Sequence, residues 1–158
     1  MYKVKVEKGY LNFSAAHFIT FGGKCERLHG HNYAVSLNLE GNLTEDRYVF
    51  DFVELKKTIR RICDRLDHHF LLPMQSQHLD IKETEEEWEI RFENRRYVFP
   101  ADDVLVLPVD SITAERLAKY ICGQFMASLN EQERSSLTSI TVGVEEAPGQ
   151  TAFYQHSF

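Results

Sequence analysis

The chain has 158 residues, the size of one domain, and it is long enough to bury a core without disulfide staples. Hydrophobic residues make up 43% and charged residues 27%, which excludes a disordered tail, a collagen-like fibre and a coiled coil. A net charge of −6 without a basic run argues against nucleic acid as a partner, and no apolar run approaches the roughly 20 residues of a membrane span.

The first residues, Met1 to Lys5, have no signal-peptide core. Val4 and Val6 alternate with Lys3, Lys5 and Glu7, which predicts a half-buried strand. Residues 10–17 continue extended, and Gly22-Gly23-Lys24 is a loop. Tyr33, Val35, Leu37 and Leu39 alternate with polar or small neighbours in a second strand that ends at Gly41-Asn42. Asp51 then N-caps a helix whose apolar stripe is Phe52, Leu55, Ile59, Ile62 and Leu66, and Pro73 ends that region. The stretch 74–110 reads as an inserted peripheral hairpin: Trp88, Ile90 and Phe92 alternate, Asn94 turns, and Tyr97 to Phe99 returns beside an acidic loop. A second helix is expected from about Thr113 to Leu129. Ile140, Val142 and Val144, the turn Pro148-Gly149, and Ala152 to Phe158 form a closing hairpin. The order predicts a single α+β domain over 1–158, an antiparallel sheet with helices on one face and edges open to oligomerisation. Three cysteines at irregular spacing, Cys25, Cys63 and Cys122, make no disulfide framework and indicate a reduced, cytoplasmic compartment. Cys63 and Cys122 fall in helical apolar patterns and belong to the core.

Five features bear on the chemistry. In His29-Gly30-His31 an extended backbone sends both imidazoles off one face, the face of Tyr33 and Val35. His17, ending the partner strand, supplies a third nitrogen, and three neutral imidazoles with an open fourth position are the pattern of a catalytic zinc. The bare spacing is equally that of polar loop residues. Cys25, four residues before His29, lies outside any apolar stripe and reads as metal ligand, nucleophile or general base, with Glu26 beside it as the alternative acid–base group. Asp67-His68 is a carboxylate next to an imidazole, either a proton-relay pair or a histidine at a helix C-terminus. Glu146 shares parity with Ile140, Val142 and Val144, so it faces inward and needs a partner with donors, unless the strand end already turns it to solvent. Thr113 and Glu115 fit the N-cap and first turn of the second helix.

Taken in order, these residues resemble one family. The blocks are Phe13-Ser14-Ala15-Ala16-His17, Cys25-Glu26-Arg27-Leu28-His29-Gly30-His31-Asn32-Tyr33, Val49-Phe50-Asp51-Phe52, Leu66-Asp67-His68, Thr113-Ala114-Glu115, and Val142-Gly143-Val144-Glu145-Glu146 with Tyr154. They are similar to the 6-pyruvoyl-tetrahydropterin synthase / 6-carboxy-tetrahydropterin synthase family over about residues 4–154. The resemblance implies the tunnelling fold, a four-stranded antiparallel sheet with two helices on one face, assembled as a homohexamer of two stacked trimers with active sites between subunits. It implies zinc on His17, His29 and His31, Cys25 as general base, Asp67 and His68 as the proton relay, and Glu146 as the pterin anchor with Glu115 and Thr113 nearby. The implied substrate is 7,8-dihydroneopterin triphosphate.

Two departures stand out. Arg116 follows Thr113-Ala114-Glu115 where the family usually has Asn, and Cys25 and Glu26 are both present where a member ordinarily relies on one of them. The expected activity is 6-carboxy-tetrahydropterin synthesis, with release of acetaldehyde and triphosphate, feeding 7-deazaguanine (queuosine-type) biosynthesis. Its rivals are 6-pyruvoyl-tetrahydropterin synthesis, formation of 6-hydroxymethyl-dihydropterin through Glu26, a non-catalytic pterin- or purine-binding hexamer, and a structural zinc protein that closes its metal with Cys25.

Overall fold

The computed structural model describes residues 1–158. Strand β1 (Tyr2–His17) runs the length of the molecule and pairs antiparallel with β4 (His29–Gly41). Their ladder has two stretches separated by an irregularity between Glu7 and Asn12. Between them β2 (Thr20–Phe21) and β3 (Lys24–Cys25) form a small hairpin around Gly22 and Gly23, both at positive φ. β10 (Leu137–Ala147) pairs antiparallel with the far side of β4, and β11 (Gln150–Ser157) pairs antiparallel with β10. The predicted first pair and closing hairpin are therefore both present, joined as neighbours.

Helices α1 (Phe52–Leu66) and α2 (Ala114–Ser128) pack on this sheet and on each other. Asp51 caps α1 through its carboxylate to the Val53 and Glu54 amides, and Thr113 caps α2 through its hydroxyl to the Arg116 amide. Leu55, Ile59, Ile62, Cys63 and Leu66 from α1 join Leu117, Ala118, Ile121, Cys122 and Phe125 from α2 in one core with Phe13, Tyr33, Val35, Leu37, Ile140, Val142 and Val144. Phe52 departs from the expected stripe: as the first helical residue it stays 49% exposed. A short helix α3 (Glu131–Ser136), closed by an Asn130–Glu133 capping box, leads into β10.

The sheet is wider than the four strands expected. Its order is β11-β10-β4-β1, extended by β5 (His69–Pro73) and β9 (Val104–Leu107), both added parallel. These two strands lack period-2 alternation because both of their faces are covered. Leu71 and Leu107 face the main core, whereas Phe70 and Leu72 face a second, smaller one. The insert is also more than a hairpin. The predicted pair, β7 (Glu87–Phe92) with β8 (Arg95–Pro100), gains a third strand, β6 (Asp80–Glu83), on its outer edge. This three-stranded sheet covers the second core with Trp88 and Ile90, which meet Phe18, Phe70 and Leu72. No helix is long and apolar enough to cross a membrane.

Candidate active site

The register of β1 against β4 builds the centre of the site. His17 lies opposite His29 and Ala15 opposite His31, so all three histidines leave the same face of the ladder. Gly30 makes this pairing possible: a Cβ there would stand 2.9 Å from the Ala15 carbonyl oxygen. The ligand atoms of His17, His29 and His31 lie within 4.8 Å of one another.

Backbone carbonyls fix two of the ring tautomers. His17 is fully buried, and its Nδ1 is 2.9 Å from the Ile112 carbonyl oxygen. A carbonyl only accepts, so Nδ1 carries the proton and Nε2 presents a lone pair. The Tyr33 hydroxyl oxygen sits 3.2 Å from the same Nδ1, and burial holds that phenol protonated. His29 donates from Nδ1 to the Arg27 carbonyl at 2.7 Å, which leaves its Nε2 bare as well. The two bare Nε2 atoms face each other at 3.2 Å. Two lone pairs do not bond, whereas donors around a tetrahedral zinc at ~2.0–2.1 Å stand roughly 3.3 Å apart. The third ring, His31, has its Nε2 buried without a hydrogen-bond partner, 3.5 Å from Glu146 Oε1. Burial, with the neighbouring imidazoles, lowers the His17 pKa against the opposing pull of the Ile112 carbonyl and Glu146. Three clustered imidazoles, two of them oriented by carbonyls and the third with an orphaned nitrogen, fit a divalent metal ion.

The other expected residues divide between two clefts. Glu146, Thr113 and Glu115 line one of about 370 Å³ together with Ile19, Gln150 and Thr151. Arg116 turns away from it and pairs with Asp110 at 2.8 Å. His68 lines a second cleft of about 530 Å³ with Ser14, Gly30, His31, Asn32, His69 and Phe70. Its Nδ1 is 2.8 Å from Asp67 Oδ2, and its side chain is 82% exposed. Asp67 Oδ1 accepts from the Ser14 amide at 2.7 Å. That bond and the one to His68 hold the Asp67 carboxyl below the usual carboxylate range. His68 takes a positive φ of 58° at the helix end, and its amide donates to the Ser14 carbonyl. His31 reaches both clefts, touching Glu146 on one side and lining the His68 cleft on the other.

Cys25 and Glu26 diverge although adjacent. The Cys25 side chain packs against the smaller core. Burial pushes its thiol up, opposed by the charge of Arg95 and aided by that of Glu26. Glu26 folds back on the strand before it: Oε1 accepts from the Ile19 amide at 3.0 Å, and its own amide donates to the Ile19 carbonyl. Its charge acts on the Tyr33 hydroxyl beside His17. Cys63 and Cys122 are buried, with thiols pushed up to about 12 and about 11, in keeping with the core assignment; all three cysteines are free. Tyr33 at the His17 ring was not singled out as a site residue from the sequence, although it shares parity with His31. The Ile112 carbonyl carries no side-chain signal at all.

A family model described as 6-pyruvoyl tetrahydropterin synthase matches residues 5–157. A Methanocaldococcus jannaschii protein named as a putative 6-carboxy-5,6,7,8-tetrahydropterin synthase is 36% identical over 146 residues, 92% of this chain and 90% of that one. The crystal structure of a 6-pyruvoyl tetrahydropterin synthase from Plasmodium vivax is 39% identical, with a TM-score of 0.94 over 99% of this chain and 98% of that one. Two variants of the Plasmodium vivax protein, in which a glutamate described as a catalytic residue is replaced by alanine or by cysteine, match with the same TM-score of 0.94.

Proposed function

The chain belongs to the 6-pyruvoyl tetrahydropterin synthase family, and from that premise we propose that it is a zinc-dependent carbon–carbon lyase. It converts 7,8-dihydroneopterin triphosphate into 6-carboxy-5,6,7,8-tetrahydropterin, with release of acetaldehyde and triphosphate, in 7-deazaguanine biosynthesis. The observation that carries this reading is the convergence of His17, His29 and His31 with Glu146 against His31. The name of the 36%-identical relative supports the carboxy product.

Zinc held by the three imidazoles would supply Lewis-acid polarisation of the substrate's side-chain hydroxyls. The protein's own residues do the rest. Glu146 accepts from the adjacent ring N–H and exocyclic amine of the pterin, a charge-assisted pair, with Thr113 and Glu115 in the same cleft. His68, its Nδ1 turned to Asp67, keeps Nε2 for proton exchange with the substrate. Cys25 takes the proton from the side-chain carbon. Because Glu146 and His68 open into different clefts of one chain, the proposed assembly is a homohexamer that joins clefts of neighbouring copies. The free thiols agree with a cytoplasmic enzyme.

A second reading has its own observation. Cys25 packs against the smaller core, whereas the Glu26 carboxylate bonds the amide of Ile19, a residue that lines the Glu146 cleft, and the structurally similar Plasmodium vivax protein has a glutamate described as catalytic. With Glu26 as base the product is 6-hydroxymethyl-dihydropterin.

One experiment separates the two: incubate the zinc-loaded protein with dihydroneopterin triphosphate, identify the pterin by mass and assay acetaldehyde. The 6-carboxy product with acetaldehyde is expected. Cys25→Ala at matched zinc content should lose roughly 10²–10⁴-fold in turnover, the scale for removing a positioned base, and Glu26→Gln much less. A dead Glu26→Gln, an active Cys25→Ala and a hydroxymethyl product would install the second reading. Absence of any turnover in the zinc-loaded wild type would leave a pterin-binding hexamer.

A further inference from the structure

Everything assigned so far lies on the main sheet, its helices, or the loop of Cys25 and Glu26. That loop, between β1 and β4, carries both candidate bases and ends at a metal-ligating histidine, yet its own hairpin has only two residues in each strand. A two-residue hairpin does not hold itself. Glu26 is tied at one side by its amide and carboxylate to Ile19. The other side is held from the insert, 70 residues away in sequence: Arg95 Nη1 donates to the Cys25 carbonyl at 2.8 Å. Arg95 begins β8, and its guanidinium lies 5.6 Å from the centre of the Tyr97 ring. Tyr97 in turn stacks on Phe18 at 4.7 Å, immediately after β1. The tether is continuous: Arg95 grips the Cys25 carbonyl, Glu26 follows, the next carbonyl, Arg27, receives the His29 Nδ1 proton, and His29 faces His17.

We infer that Arg95 is a positioning residue of the active site, and that the inserted sheet serves to fix the Cys25–Glu26 loop against the histidine cluster. Its neighbour Arg96 points elsewhere, paired with Glu89 at 2.9 Å on the insert's own surface. Arg95 is suited to the task because a planar guanidinium can stack on Tyr97 and donate to a carbonyl at once, which an ammonium does less well. Arg95 reaches the site through the loop: it holds the Cys25 backbone, and its charge opposes the burial that raises the Cys25 thiol. The inference rests on the loop being catalytic, as proposed above.

The test uses the full-length zinc-loaded protein as wild type, Arg95→Ala, Arg95→Lys and the control Arg96→Ala. Turnover of dihydroneopterin triphosphate is measured together with amide hydrogen exchange of the loop (residues 19–28) and of the insert strands. A displacement of about 1 Å in a reacting group costs on the order of 10²-fold in rate. Arg95→Ala should therefore lower kcat by about 10–100-fold with KM within about twofold. Loop amides should exchange at least tenfold faster while β7 and β8 stay protected. Arg95→Lys should recover part of both, and Arg96→Ala should match wild type. Unchanged loop exchange in Arg95→Ala would overturn the inference. So would equal losses of protection in the loop and throughout the insert, which would make Arg95 a structural residue of the insert alone. If the wild type does not turn over the substrate, the catalytic reading fails by itself, and the exchange data still decide whether Arg95 holds the loop.

Discussion

The main core and the smaller core differ in composition and in what they hold. The main one is largely aliphatic and sits between the sheet and two helices, with Leu37, Leu39, Leu55, Ile59, Leu117, Ile121, Ile140 and Val142 at its centre. The smaller one is largely aromatic and sits between β5 and the insert: Phe18, Phe70, Leu72, Trp88 and Ile90, flanked by Tyr97 and Phe99. The main core aligns β1 with β4, and that register alone assembles the three histidines. The smaller core holds the Cys25–Glu26 loop, because Cys25 packs into it and Arg95 anchors its backbone from above. The histidine cluster and the Cys25–Glu26 loop are thus supported by different packing units, and damage to one should leave a recognisable trace of the other.

The largest expected effect belongs to the histidine cluster. His31→Ala removes one of the three clustered imidazoles, the other two of which are already oriented by carbonyls. It should abolish stoichiometric zinc, read by metal analysis of the purified protein, whereas His68→Ala should keep it, since His68 lies outside the cluster. Full zinc retention in His31→Ala would remove the main sheet's claim to the metal.

Next comes a matched deletion in the two cores. Ile59 and Ile90 are both fully buried, one in each core. Truncation to Ala removes the same atoms and costs about 2–5 kcal/mol where the loss is felt. Ile59→Ala should lower the unfolding free energy read from the urea transition by that full amount and leave the specific activity of the folded fraction near wild type. Ile90→Ala should shift the midpoint less and depress activity more, because the loop it supports loosens before the main core opens. Equal effects on both readouts would mean that the two cores are one cooperative unit.

The same division explains what could be read from the sequence. The main core is written in clean periods: 2 in Tyr33 to Leu39 and Ile140 to Val144, and 3 to 4 in both helices. The histidine triad followed, because His29 and His31 sit in phase with Tyr33. β5 and β9 escaped, since a strand covered on both faces has no alternation and Phe70-Leu71-Leu72 reads as a short apolar run after a helix. The packing of Cys25 and Glu26 escaped for a different reason. Where these two adjacent side chains pack depends on the Arg95 and Ile19 tethers, one of them 70 residues distant, and no local pattern encodes such a contact. Thr113 and Glu115 were legible as helix-capping residues, but that they share a cleft with Glu146 depends on α2 starting beside the end of β10.

The smallest effect lies at the seam between the cores, where α1 ends and β5 begins. Asp67 accepts from the Ser14 amide and from His68, and both contacts stabilise its charged form. Its folded-state pKa is therefore below the ordinary ~3.9 of an unfolded chain. A group depressed in this way adds stability that is complete above the unfolded value and disappears as pH falls through the folded one. Asp67→Asn can still accept from Ser14 but has no carboxylate to protonate, so it lacks this acid-side loss. The wild type should hold a small advantage in urea midpoint near pH 5, narrowing toward about pH 2. The carboxylate is partly exposed and screened, so the advantage should be modest and weaken with salt. A gap of the same size at both pH values would show that Asp67 stabilises the seam by hydrogen-bond geometry rather than by charge. The Asp67–His68 pair would then matter to the chemistry in the cleft and not to the joining of the two cores.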